Sequence, residues 1–439
     1  MIATRPTEVP AAGRLRVPKH VALAVAVFFA GLWVYGGSAR HAAFWGDEND
    51  YLLTGRYFRL LFLERDLANA EWGDNYWTHT QPMLTRYIVG GWLWLRGYDL
   101  DEMPRRYDFT NSLEENIRKG RVPDEALLAD ARAPMVVLAA GSVVLLYLLG
   151  SALGGAAAGL VGAVVALTSR LAGGQMVRAM PEAPLAFFVL LTLLLGVLGA
   201  RRAPRSDAGR LPRGWAIGLG AALGLALAAK LTAVLSVSAV AVWAALSVSR
   251  KSKVESRESG VRRLTFDFRR STRMALALAV ALVVFVASDP HLYPNPLVHT
   301  AHLFQERMND ETLRQREAPR FAIHRSLDRP GLVLKGSLVD GTFCGSQGIP
   351  IEAFLALVGF GVLLTKTWRG WRVAGRLPAE SLILLTVLAY FAGTSAGLYN
   401  FHPRYFVPTL LLGTLLSGLG AAALGDFGLK LARPGRRSR

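Results

Sequence analysis

The sequence predicts an all-α integral membrane protein, a single membrane domain over residues 1–439 with about ten transmembrane helices. Three observations predict it. Of the 439 residues 52% are hydrophobic, and the mean hydropathy is +0.30. The apolar residues fall in blocks almost free of charge, such as Met135 to Leu149 and Leu185 to Leu198, rather than being dispersed at helix or strand period. Basic residues gather in the short links between those blocks. A helix rises about 1.5 Å per residue, so roughly 20 apolar residues cross the hydrocarbon.

In chain order, the first span runs from about His20 to Gly37. The polar run before it is long and no small-residue cleavage site follows, so it reads as an uncleaved span rather than a removed signal peptide. A large polar region, residues 38–131, comes next. Within it Tyr51 to Leu63 is apolar but carries Arg56 and Arg59, and Tyr87 to Leu95 is too short to cross. Both suit helices lying in the membrane interface. Ala133 to Leu149 and Ala156 to Leu171 form a hairpin across Gly154 and Gly155. The fourth span is Leu185 to Gly199. Two more lie between Trp215 and Val248, with Lys230 at the bend, and the seventh is Met274 to Ala287. A second polar region fills residues 288–350. Ile351 to Leu364, Ser381 to Leu398 and Phe406 to Leu424 complete the set.

Alternating these spans puts every arginine-rich link on one side together with both basic ends. Those links include Arg201, Arg202, Arg205, Arg210 and Arg213, a basic loop at 249–273, Lys366 to Arg376, and a basic tail at 425–439. Residues 38–131 fall on the other side, and they hold 16 of the 32 acidic residues against 11 Lys and Arg. Both termini are therefore expected in the cytoplasm. The net charge of +18 is explained by this positive-inside pattern, which argues against a nucleic-acid partner. The single cysteine, Cys344, excludes an intramolecular disulfide and any cysteine-built metal site. No internal repeat is visible, which disfavours an inverted-repeat transporter.

Five polar clusters fall on the outer face under this topology. The sharpest is Phe44-Trp45-Gly46-Asp47-Glu48, just past the first span; adjacent carboxylates point to different sides, so one is the candidate base and the other orients or binds. Alone, it reads more readily as a solvated turn. In His79-Thr80-Gln81-Pro82-Met83-Leu84-Thr85-Arg86 the proline sets a helix entrance, and Arg86 offers a planar fork to a phosphate at headgroup depth. Asn400 to Pro408 contributes His402, Arg404 and Tyr405. Arg178 to Pro184 contributes Arg178 and Glu182, and Lys230 is the fifth. An ionisable residue near a span is a functional candidate by default, although Glu182 and Lys230 equally suit a structural ion pair. Carboxylates and cations together at one membrane face suit attack on a lipid-linked phosphate.

An Asp-Glu pair after the first span, a His-x-x-Pro-like segment, an acidic residue before the fourth span and a late Arg-Tyr-x-x-Pro occur here in that order. In these features the chain resembles the polytopic polyprenyl-phosphate-sugar-dependent glycosyltransferases, exemplified by protein O-mannosyltransferases and the lipid A aminoarabinose transferase (glycosyltransferase family 39-like). The resemblance implies a GT-C-like fold in the bacterial inner membrane and transfer of sugar, with inversion, from a polyprenyl phosphate to an acceptor hydroxyl on the outer, periplasmic face. It places Asp47 and Glu48 at the catalytic acidic pair, Arg86 and Arg404 at basic positions of the family's motifs and Glu182 at its acidic residue before the fourth span; from their position at the same interface, Lys230 and Tyr405 join Arg86 and Arg404 as candidates for the donor phosphate. His79, Glu182, Arg178 and His402 would contact substrate. The chain departs from the family pattern in reading His-Thr-Gln-Pro, without the double proline, which puts the role of His79 in doubt. No cofactor is required, because a lipid phosphate leaves without protonation; a divalent metal is compatible, but no ligand spacing indicates one. The expected partners are the lipid-linked donor, a protein, lipid or glycan acceptor, and membrane lipid. A transporter or flippase of a lipid-linked or anionic solute is the rival; it would want ionisable residues deep within spans.

Overall fold

The computed structural model describes residues 17–202, 211–248, 268–317, 319–374 and 377–431. Among them the structure is helical, the sole β feature being one antiparallel bridge between Ala322 and Asn400. Helix α1 (Val17–His41) leads into the first polar segment, which carries α2 (Gly46–Leu53), α3 (Tyr76–Thr80) and α4 (Leu84–Leu95). Helices α5 (Glu125–Gly154), α6 (Ala156–Thr168), α7 (Glu182–Arg202), α8 (Arg213–Ala229), α9 (Val234–Val248) and α10 (Phe268–Ala287) follow. The second polar segment carries α11 (Pro296–Glu317), followed by α12 (Ile351–Ala374), α13 (Glu380–Gly397) and α14 (Val407–Leu431).

A helix therefore lies at each expected span. Six of them (α1, α5, α7, α12, α13 and α14) are long and apolar enough to cross a membrane; α6, α8, α9 and α10 supply shorter apolar stretches. The fifth helix starts at Glu125, eight residues before the expected Ala133, because Asp124 caps it through the Leu127 N–H at 2.8 Å and because Arg132 inside it is neutralised. The hairpin turns at Gly155, whose φ of 88° only glycine adopts without strain. Between α8 and α9 the chain breaks at Lys230, which is extended (φ −160°, ψ 135°). The basic loop expected at 249–273 lies outside the described residues as far as 267, as do 203–210 and the ends before 17 and after 431.

Of the spanning helices, α14 is the centre and α1 the rim: 78% of the apolar window of α14 is buried against 17% for α1. Small residues let the neighbours of α14 approach closely. A Cβ on Gly359 of α12 would run into the Leu416 carbonyl, and one on Gly418 into the Ala158 carbonyl of α6. The two polar segments fold onto each other, with α3 packed against α11. The bridge, with Ile323 N–H donating to Tyr399 O and Phe401 N–H to Phe321 O, both at 2.8 Å, ties the second segment to the α13–α14 loop. Phe62, Leu63, Trp92, Trp94 and Leu95 of the first segment stay exposed, the side chains expected to meet lipid.

Candidate functional site

The site is set by the first turn of α2. Trp45 precedes the helix in an extended conformation, and its N–H donates to the Glu48 carboxylate at 3.0 Å, closing the N-terminus. Asp47 and Glu48 then diverge. Glu48 is fully buried and takes two parallel bonds from Arg132, Nε at 2.7 Å and Nη2 at 2.6 Å. It also accepts the Ala179 N–H at 3.0 Å. The spare Arg132 donors reach the carbonyls of Ala39, Ala42 and Ala43. Every strong acceptor direction of Glu48 is occupied, so it joins the end of α1, the start of α2, α5 and the segment before α7. Glu48 thus holds these elements together, with its carboxylate fully bonded within the protein.

Asp47 faces the other way, paired with Arg404 from the loop before α14. The Trp45 indole donates to it at 3.3 Å. Burial raises its carboxyl, but the charges of Arg404 and Arg314 and the bonds from Arg404 and Trp45 outweigh that and bring it down to about 2. It borders a small polar chamber of about 40 Å³ lined by Asp50, Arg86, Arg307, Arg314 and Arg404, with Tyr51, Tyr76, Trp77, Thr80 and Gln81 completing the wall. Four guanidinium groups face two carboxylates there. Burial and the Asp47 charge push the Asp50 carboxyl up to about 7. Arg86 is 2% exposed; it donates to the carbonyls of Trp77 at 2.9 Å and Gln81 at 3.2 Å, and its Nε has no partner.

A second cavity, about 260 Å³, opens beside the chamber and shares Thr80, Gln81, Arg307 and Arg404 with it. Its walls are otherwise mostly apolar, with Leu231, Val234, Leu235, Phe304, Met308 and Leu398 prominent. The junction is organised by α11. Arg307, Asp310, Glu311 and Arg314 recur at i, i+3, i+4 and i+7, which places them on one helix face. Arg307 pairs with Glu311 and, at 2.9 Å, with Asp310. Tyr405 donates to Glu311 at 2.6 Å and accepts from Arg307 at 3.2 Å. Asn400 braces Glu311 from the α13–α14 loop, donating to its carbonyl at 3.0 Å.

Of the sequence-predicted residues, Asp47, Arg86 and Arg404 meet in the chamber, and Lys230, Arg404 and Tyr405 line the apolar cavity. Lys230 and Glu182 form the buried ion pair that the sequence left open, at 2.8 Å. Three others, Arg178, His402 and His79, lie off the walls of these two cavities. Arg178 stands behind Trp45, its guanidinium 5.4 Å from that ring's centroid and bonded to the Gly174 carbonyl. His402 packs between Phe321 and Tyr405; burial and the neighbouring Arg404 charge hold it down at about 4, so it stays neutral. His79 points toward Asp74 and two other histidines, His291 and His302. The sequence reading missed Asp50, Arg307, Glu311 and Arg314, although the charge spacing on 307–314 was a signal that could have found the last three.

Among the described residues one group has metal-ligand geometry: Asp74, His79 and His291, whose donor atoms all lie within 4.8 Å of one another. It is separate from the Asp47 chamber.

The model of the dolichyl-phosphate-mannose-protein mannosyltransferase family matches residues 127–293, well under half of the chain. No curated protein matches the sequence. Among solved structures, ArnT from Cupriavidus metallidurans bound to undecaprenyl phosphate aligns with a TM-score of 0.52 at 18% identity, over 95% of this chain and 63% of that one. The oligosaccharyltransferase AglB from Archaeoglobus fulgidus, in complex with an inhibitory peptide and a dolichol-phosphate, aligns with a TM-score of 0.54 at 12% identity, over 96% and 53%. The fold is thus that of the GT-C membrane glycosyltransferases, as the resemblance in the motifs implied. The chain spans between about half and two thirds of the length of these two structures.

Proposed function

We propose that this protein is an inverting glycosyltransferase that moves a sugar from a polyprenyl phosphate to an acceptor hydroxyl on the outer face of the membrane. One observation carries the reading: an apolar cavity among the outer ends of α9, α13 and α14 ends on cations, Arg307 and Arg404, which also wall a chamber holding an ionised carboxylate, Asp47. A lipid-linked sugar phosphate has that same sequence of apolar, anionic and polar parts. ArnT and AglB, which share the fold, are seen with undecaprenyl phosphate and a dolichol-phosphate.

In this mechanism the prenyl chain enters the apolar cavity, the phosphate meets Arg404 and Arg307, and the sugar faces Asp47. Asp47 at about 2 is a weak base while it holds Arg404. An arriving phosphate competes for that guanidinium, and as Asp47 loses its counter-charge its affinity for a proton rises. The acceptor oxygen attacks the anomeric carbon, its proton passes to Asp47, and the carbon–oxygen bond to phosphate breaks with the electron pair remaining on the phosphate. The fixed cations stabilise that charge as it develops. Attack from the face opposite the phosphate inverts the anomeric centre.

The ionisable residues of the site lie at the outer ends of the spans rather than in their middles, which favours a transferase over a transporter. The test is turnover. Purified protein in lipid nanodiscs, given a panel of polyprenyl-phosphate sugars and candidate acceptors, should release polyprenyl phosphate and form a glycosylated product. Donor binding without release by any member of the panel would reduce the protein to a binding or transport role.

A further inference from the structure

On the outer side, about the joint between the two polar segments, four histidines and one aspartate converge outside the catalytic chamber. His79 Nε2 lies 3.0 Å from Asp74 Oδ1. His291, 2% exposed, sits in the turn after α10, with Nδ1 3.1 Å from the Trp72 carbonyl. In the neutral ring that carbonyl takes the Nδ1 proton, which leaves a lone pair on Nε2. That nitrogen is buried and has no hydrogen-bond partner, although an unpaired buried polar atom is costly. The His299 ring lies 4.5 Å from that of His291, and its Nδ1 is likewise buried without a partner. The His302 ring lies 4.7 Å from that of His79. Both belong to the first two turns of α11.

We propose that Asp74, His79 and His291 bind a divalent transition metal, zinc by donor type, with His299 or His302 able to complete the coordination. Two imidazoles and a carboxylate within 4.8 Å of one another close onto a tetrahedral ion by small side-chain rotations, since zinc takes nitrogen at about 2.0–2.1 Å. The carbonyl behind His291 is the outer support that metal-bound imidazoles use to fix tautomer and orientation.

The metal would act as a clamp. Its ligands come from the first outer segment and from the start of the second, residues 74–79 and 291–302. The carbonyls that hold Arg86, those of Trp77 and Gln81, flank His79 in sequence. Bolting His79 to His291 would fix α3 against α11, the helix that supplies Arg307 and Arg314. This assignment does not rest on the proposed transfer reaction, and it is tested without any sugar donor.

The full chain, purified with its affinity tag removed and stripped with a chelator, is titrated with zinc chloride and its bound metal counted by mass spectrometry. About one tightly held zinc per chain is expected, with a higher thermal midpoint on loading. Cobalt(II) in its place should give the intense visible bands of a tetrahedral site. His79→Ala, at a partly accessible position, and His291→Ala should each abolish stoichiometric binding, while His324→Ala, elsewhere on the second segment, should retain it. Because the His79 variant keeps the buried His291, it decides the matter even if His291→Ala fails to fold. No stoichiometric zinc on the wild type, or equal binding by the His79 variant, overturns the proposal.

Discussion

Asp47 and Glu48 are neighbours in the chain and opposites in the structure. Each is paired with an arginine brought from far away, Arg404 and Arg132. The Glu48 pair is sealed: two parallel bonds, two backbone N–H donors and three carbonyls on the arginine. The Asp47 pair is open. It borders the chamber, Arg404 touches both cavities, and the Arg404 Nε is unpartnered. A buried ion pair whose bonding is complete has nothing left to offer a ligand. One with spare donors beside a void can exchange its partner. The contrast separates Glu48 from Asp47, the proposed base, by bonding state rather than by sequence position.

Substitutions at the two carboxylates should separate the pairs. Asp47→Asn keeps shape and removes the proton acceptor, so turnover should fall about 10²- to 10⁴-fold while the thermal midpoint falls less than for Glu48→Gln; full activity in initial-rate assays would remove the base assignment. Glu48→Gln should do the reverse. Losing the charge that faces buried Arg132 should cost roughly 3–5 kcal/mol of stability, read as a lowered thermal midpoint, with activity per folded molecule largely kept. Arg307→Met removes one cation from the junction between the cavities. It should cost about 2–4 kcal/mol of barrier, or roughly 30- to 1,000-fold in rate, and spare overall folding. Val234→Trp would fill the apolar cavity from α9, and should raise the KM for a long-chain donor far more than for a short-chain analogue.

The smallest expected effect concerns pH. Asp50 is pushed up to about 7, above the ordinary carboxylate range, so the folded chain holds a proton that the unfolded chain has released between roughly pH 4 and 7. Stability from this group therefore falls as pH rises through that window and levels off above it. Asp50→Asn should flatten that part of the curve, measured as the change in thermal midpoint from about pH 5 to pH 8. An unchanged slope would mean that Asp50 is already ionised.

The helices were legible because span formation depends on local composition, and apolar runs mark it directly. The start of α5 shows the limit of that signal. Arg132 looks like a loop residue until Glu48, 84 positions away, neutralises it within a helix. The site was half legible for the same reason. Asp47 and Arg404 stand close to span ends and Arg86 at the start of a short apolar helix, where a charge is conspicuous. Arg307 and Arg314 lie in a polar helix where charges are ordinary, and only the fold aims them into the chamber. The histidine cluster is assembled from segments more than 200 residues apart in sequence, so no local ligand spacing could indicate it.

The exchange of Arg404 from Asp47 to a lipid phosphate is best tested by cryo-electron microscopy of the protein in nanodiscs with a polyprenyl phosphate. The expected map has the phosphate within hydrogen-bonding distance of Arg404 and Arg307, the chain running past Leu231, Val234 and Leu398, and the Asp47 carboxylate released into the chamber. A phosphate bound elsewhere, with the Asp47–Arg404 pair intact, would contradict it.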